Sequence, residues 1–285
     1  MVLASFMDDI DHVIETLEKS GSNQNLKAEV LNSRSNKILA DLTSLLPTGD
    51  DVFRGRVAVV VSYCHAVASL EGRQRVWPYT MLDLSRRVGE LWQATCLVAW
   101  THSVREDVAE LAVPEFADVR DRFLSDVWDL FHDHPNVVAG IDMIDEFTGR
   151  LNRITMASDK IFTVAGVPHV IDFKFRFRSN EKGNKNRVEE LGWAYRKWDP
   201  RTDLGILVCH TENNNYLEML DKESAWNVLT GRDAYSRIEE LTGFPLAALL
   251  DDCVDFRSDL SRGFVDYLQN SEKDLTCFID WSTRA

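Results

Sequence analysis

Asp159, Asp172 and Lys174 are the residues of this sequence whose types and spacing could do chemistry together. The stretch 169–178 reads H-V-I-D-F-K-F-R-F-R. As a strand, its period of two sends Ile171, Phe173, Phe175 and Phe177 to one face, and Asp172, Lys174, Arg176 and Arg178 to the other. The apolar back can pack on a helix. Four charges on the front must meet partners, a metal or a polyanion, because a buried charge without one is too costly. Asp159 lies 13 residues before Asp172, and the turn signal Ala165-Gly166-Val167-Pro168 between them marks a hairpin. Folding that hairpin brings the two aspartates together at its open end. Two carboxylates can hold a hard divalent cation such as Mg2+. The cation polarises a phosphate and acidifies the attacking water. A neighbouring ammonium stabilises the charge that develops at phosphorus. Metal-dependent phosphodiester hydrolysis is the chemistry these parts could perform.

The elements that must position them read as follows. A helix ends near Gly149, and strands are expected over 153–159, 160–164 and 169–178. A helix over 187–198 carries Val188, Leu191, Tyr195 and Trp198 on one face and stops at Asp199-Pro200. The continuous apolar run 204–209, L-G-I-L-V-C, fits a buried strand. Around this core, residues 1–135 read as mainly helical, a possible dimerisation region. The core itself spans 136–221, and 222–285 reads as a helical region packed on it. The fold class expected is therefore α/β, or α+β: a mixed central sheet flanked by helices, with large helical elaborations at both ends.

Charge sharpens the picture. The chain has a formal net charge of −14 over 285 residues, which by itself argues against a nucleic-acid partner. Between 150 and 201, however, 12 basic residues face 6 acidic ones, so this block is +6 and the remainder −20. One basic block in an acidic protein is the footprint of a localised polyanion site. Five scattered cysteines without a C-x-x-C pair argue against a disulfide framework or zinc site, and so for a reduced, cytoplasmic protein. The longest apolar stretch, 57–70, is too short to cross a membrane, and the acidic start is unlike a signal peptide. There is no P-loop, G-x-G-x-x-G or G-x-S-x-G pattern. His132-Asp133-His134 reads as a solvated helix end before Pro135, since histidines at i and i+2 face different ways.

Ser158-Asp159, twelve residues, then Asp172-Phe173-Lys174 resembles the motif of the PD-(D/E)XK, restriction-endonuclease-like nuclease superfamily. The helix–strand–strand–strand–helix–strand order is similar to that superfamily's core, and the resemblance covers roughly residues 140 to 210. Ser158 stands where the nominal motif has proline. The resemblance implies Mg2+ held by Asp159 and Asp172, with Lys174 as the catalytic ammonium. It also implies a third carboxylate, for which Glu146 on the preceding helix fits best, with Glu189 and Glu190 on the helix after the motif strand as a second candidate pair. Size and layout resemble a type II restriction endonuclease, which implies double-stranded DNA as substrate and a two-fold homodimer.

The basic strand end and the segment after it offer DNA contacts. Arg176 and Arg178 extend the catalytic row toward phosphates. Lys182, Asn184, Lys185 and Arg187 offer donors for base edges or phosphates, and so do Asn213 and Asn214 after the last core strand. Two other readings compete. One is another nuclease of the superfamily, acting in repair or phage defence. The other is a non-catalytic DNA-binding or scaffold protein whose D-x-K is accidental.

Overall fold

The structure is a computed structural model that describes residues 2–46, 50–150, 155–176, 182–210, 215–271 and 275–281. The chain begins with four helices, α1 (Val2–Lys19), α2 (Gln24–Ser44), α3 (Asp51–Val76) and α4 (Met81–Thr101). Then come β1 (Val108–Glu110), α5 (Phe116–Phe131), α6 (Val137–Arg150), β2 (Lys160–Val164) and β3 (Val167–Lys174). α7 (Lys182–Trp198), β4 (Asp203–Val208), α8 (Asn215–Glu223) and β5 (Asn227–Thr230) complete the mixed part. Last come α9 (Arg232–Thr242), α10 (Leu246–Cys253), α11 (Phe256–Asp259) and α12 (Arg262–Asn270). Among the described residues no helix is long and apolar enough to cross a membrane.

Two compact units result, and they divide the chain elsewhere than at the boundaries read from sequence. One comprises residues 1–105 and 231–285; the other is 106–230. The C-terminal segment therefore does not form a region of its own but completes the N-terminal helices. Side chains explain why. Tyr63 on α3 donates to Asp259 Oδ2 at 2.6 Å and accepts from the Asp255 backbone at 3.1 Å. Buried Glu71, also on α3, accepts the backbone N–H of Ser261, which caps α12. Trp92 on α4 donates to the Tyr235 hydroxyl at 2.8 Å, which in turn donates to the Trp281 carbonyl at 3.1 Å. α3 is buried around most of its circumference, which marks it as the central helix of this unit.

In the second unit the strands lie in the order β1-β2-β3-β4-β5. β1, β2 and β3 are antiparallel in sequence, whereas β4 and β5 run parallel to β3. β4 is buried over nearly its whole length, as its unbroken apolar run requires. On one face of the sheet, Val170, Leu204, Ile206 and Val208 pack with Val188, Leu191, Ala194 and Tyr195 of α7 and with Val119 of α5. Val170 stands two residues from Asp172 on β3, so α7 covers the face that also carries Asp172 and Lys174, and not the Ile171 and Phe173 face that was expected to pack on a helix.

Three elements differ from the sequence reading. The strand expected over 153–159 is not a strand where described, at 155–159, and the edge of β2 pairs instead with β1, from 50 residues upstream. β3 ends at Lys174 rather than at 178. Pairing with β2 ends at Ile171, while backbone bonds toward the β4 side continue from Cys209 N–H to the Lys174 carbonyl and from His210 N–H to the Phe175 carbonyl; residues 177 and 178 lie outside the described residues. α7 starts at Lys182, five residues earlier than expected, with an i,i+4 ion pair between Lys185 and Glu189 in its first turns.

The hairpin turn is tighter than its sequence signal suggested. Val164 pairs directly with Val167, leaving a two-residue loop in which Ala165 has φ 49° and Gly166 φ 75°. Positive φ at both positions is the type I′ hairpin turn, which favours Asn-Gly. The Ala165 Cβ makes this left-handed conformation costly by about 1 kcal/mol. Ala165 is exposed, so little else depends on its side chain. Ala165→Asn is therefore expected to raise the stability of this unit by about 0.5–1 kcal/mol, read as a higher urea midpoint at unchanged slope. A lower midpoint would show that the turn is not strained at this residue.

Candidate active site

The register of β2 on β3 builds the site. Lys160 lies opposite Ile171, so the next position outward places Asp159 opposite Asp172. The Asp159 carboxylate is anchored there, because its Oδ2 accepts the backbone N–H of Phe173 at 2.7 Å. Lys174 shares a strand face with Asp172, and its Nζ lies 2.7 Å from Asp172 Oδ1. The carboxylates of Asp172 and Asp159 lie within hydrogen-bonding reach of one another. The structure thus brings together Asp159, Asp172 and Lys174.

Like charges directly opposite across a hairpin repel. The Asp172 side chain is also only 18% exposed, whereas that of Lys174 is 30% exposed. Burial pushes the Asp172 carboxyl up to about 6; Lys174 opposes that rise and Asp159 adds to it. The two acids offer hard oxygen ligands, and Mg2+ is commonly held by one or two carboxylates together with waters and substrate phosphates. The residues present fit such an ion.

Topology places this cluster at the carboxyl end of the parallel strands. The chain leaves β3 just after Lys174, enters α7 and returns along β4, so the N-terminus of α7 lies at the same end of the sheet as the site. That is the end where open α/β sheets bind ligands, and helix N-termini favour phosphate.

The other candidates are scattered. Glu146 is exposed on α6, and among the described residues no group of three or more His, Cys, Asp or Glu side chains converges as a metal site. Glu146 does not complete a three-acid set with Asp159 and Asp172, and neither Glu189 nor Glu190 does so. Lys185, expected to read bases from a loop, is buried on α7 with Nζ 2.7 Å from Glu189 Oε1. Helix formation turned this residue inward, and a contact to DNA would require the pair to open. Arg176 is half-buried two residues beyond Lys174, and Arg187 is exposed on α7. Lys182 and Asn184 lie in the first turn of α7, but their side chains fall outside the described residues, as do Arg178, Asn213 and Asn214. His132 and His134 serve the end of α5, through contacts to the Asp129 carbonyl and the Asn136 N–H.

Much of the basic block is neutralised internally. Lys160, Lys174, Lys185, Lys197 and Arg201 pair with Glu110, Asp172, Glu189, Asp126 and Asp199. These pairs account for at least five of its 12 basic residues. The sequence count treated the block as a continuous positive surface, because acids from α5 and β1 are distant in the chain. His169, which opens β3, is also engaged: it stacks on Phe162 and lies 3.1 Å from Asp203 Oδ2. Two anchors of the site escaped the sequence reading. The Phe173 backbone donor to Asp159 follows from the register and was legible in principle. The bond from the Tyr195 hydroxyl to the Met156 carbonyl joins residues 39 apart, and no local pattern signals it.

Comparison of the chain with protein-family models, curated proteins and solved structures gives no match.

The raised Asp172 carries a stability consequence. An acid whose folded pKa exceeds its ordinary 3.8 favours folding fully only below that value, and the contribution is lost as pH rises through about 6. At pH 7.5 without divalent cations, Asp172→Asn is therefore expected to stabilise the protein by about 1–2 kcal/mol. That is less than the full shift implies, because Lys174 loses its partner. The gain should shrink toward zero by pH 4. Urea denaturation of both proteins at the two pH values checks this, and a gain independent of pH would refute the account.

Proposed function

We propose that this chain is a Mg2+-dependent endonuclease acting on double-stranded DNA, of the kind that type II restriction endonucleases represent. The observation that carries the reading is the placement of Asp159 directly opposite Asp172, with Lys174 bonded to Asp172, at the carboxyl end of a parallel strand pair. A structural ion pair would need neither a second carboxylate nor its placement at the end where the sheet opens.

In this reading Asp159 and Asp172 would hold the ion. The bound Mg2+ would supply polarisation of the scissile phosphate and acidification of the attacking water. Asp159 stays oriented through the Phe173 N–H, so its carboxylate needs no rearrangement. Lys174, beside Asp172, would neutralise the charge growing on phosphorus. Arg176 and Arg187, with Arg178, Lys182, Asn184, Asn213 and Asn214, would contact phosphates and base edges beside the site. Type II enzymes match palindromic DNA with two isologous subunits, so a homodimer belongs to the same reading.

The test is digestion of a supercoiled plasmid in Mg2+, with EDTA as control. Discrete linear fragments are expected. A smear would assign the chain to the non-specific members of the superfamily, and intact plasmid under all divalent cations would overturn the reading. Asp172→Ala should remove measurable cleavage, and Lys174→Ala should cost on the order of a thousandfold. Asp172→Ala should bind DNA at least as well as the native protein, because a negative charge beside the phosphate is gone. Either variant cutting at near-native rates would remove the assigned residues from the site.

A further inference from the structure

Asp159 stands just outside the ladder that defines the hairpin. β2 begins at Lys160, and residues 155–159 adopt no strand, so sheet hydrogen bonds do not fix the segment that delivers this carboxylate. The residue before it is Ser158, which leaves φ unrestrained, whereas a proline there would lock it. Something else must hold the segment. Met156 is 3% exposed and packs in the same apolar cluster as Tyr195, Val119, Ile161 and Val170. The Tyr195 hydroxyl donates to the Met156 carbonyl, and Ser158 lies against the same phenol. Tyr195 is fully buried, and its own carbonyl accepts from Asp199 N at 3.0 Å and from Thr202 Oγ1 at 3.3 Å, which fixes the C-terminal turn of α7. A rigid helix thus reaches through the core to grip the backbone three residues before Asp159.

We propose that Tyr195 is the positioning residue for Asp159: its hydroxyl tethers the segment 155–159 to α7 and so holds the Asp159 carboxylate against Asp172 in the geometry that a divalent cation needs. The proposal rests on the reading of Asp159 and Asp172 as cation ligands. Tyr195 touches neither ion nor substrate in this role. It acts through the Met156 backbone, in the way that partners behind metal ligands orient them, where removal typically costs about 10–100-fold in metal affinity. The bond also needs a neutral phenol, and burial pushes the Tyr195 hydroxyl up to about 12, so the donor proton is present throughout the neutral range.

The experiment is calorimetric titration of the full chain with Mn2+ in the absence of DNA, alongside thermal melts. Native protein and Asp172→Ala test the reading beneath the proposal: native protein that fails to bind Mn2+, or Asp172→Ala that binds as well as native, sinks the cation site itself. With the site present, Tyr195→Phe is expected to weaken Mn2+ binding on the order of tenfold, with the melt still cooperative. Trp226→Phe is the control, since it breaks a buried hydrogen bond to the Val188 carbonyl of the same helix without touching the 155–159 segment. It should lower the melting temperature while leaving Mn2+ affinity within about twofold, which is small beside the expected loss. Equal affinity in Tyr195→Phe and native protein overturns the proposal. So does a loss in Trp226→Phe as large as in Tyr195→Phe, because general loosening would then explain both. If Tyr195→Phe does not fold, Met156→Ala loosens the same segment more gently by removing its packing against α7. It should weaken Mn2+ binding by a smaller but measurable factor, and no change there also overturns the proposal.

Discussion

The antiparallel pairing of β2 on β3 is the constraint from which the site follows. Because side chains alternate with a period of two, the pairing of Lys160 with Ile171 decides at once which residue faces Asp172 and which side of the sheet it occupies. A slip of one residue would leave Asp159 on the wrong face. The two-residue turn at Ala165 and Gly166 fixes that register, and it does so with an alanine in a left-handed conformation. The strained turn and the opposed carboxylates sit at the two ends of one hairpin.

Such a site is held at a cost. Two acids share one end of the hairpin, and Asp172 is buried enough that its charge is disfavoured. Lys174 offsets part of that cost, and the Phe173 N–H stabilises Asp159. The rest comes from the apolar layer on the same sheet face, where α7 packs on β3 and β4 beside the acids.

The helical unit is organised on a different principle. α3 is enclosed by its neighbours, and long-range hydrogen bonds from Tyr63 and Glu71 recruit the C-terminal helices to it. The chain thus enters and leaves the sheet unit from one helical assembly, with the sheet unit inserted at residues 106–230.

The sequence by itself determined the parts that depend on short-range periodicity. The apolar-charged alternation after residue 170, the continuous apolar β4, the hairpin turn and the helix ended by Asp199-Pro200 were all readable, because each is a local pattern with a local physical cause. From these the convergence of Asp159, Asp172 and Lys174 could be argued before any coordinates. Contacts between distant segments were decided only by the tertiary structure. β1 captures the edge of β2 from 50 residues away, and acids on α5 and β1 neutralise lysines that a linear count takes as a positive surface. Lys185 turns inward because the helix begins earlier than its polar sequence suggests. The Tyr195 hydroxyl meets a carbonyl 39 residues upstream. Periodicity assigns a face to a residue, but which partner occupies that face is settled by packing across the whole chain.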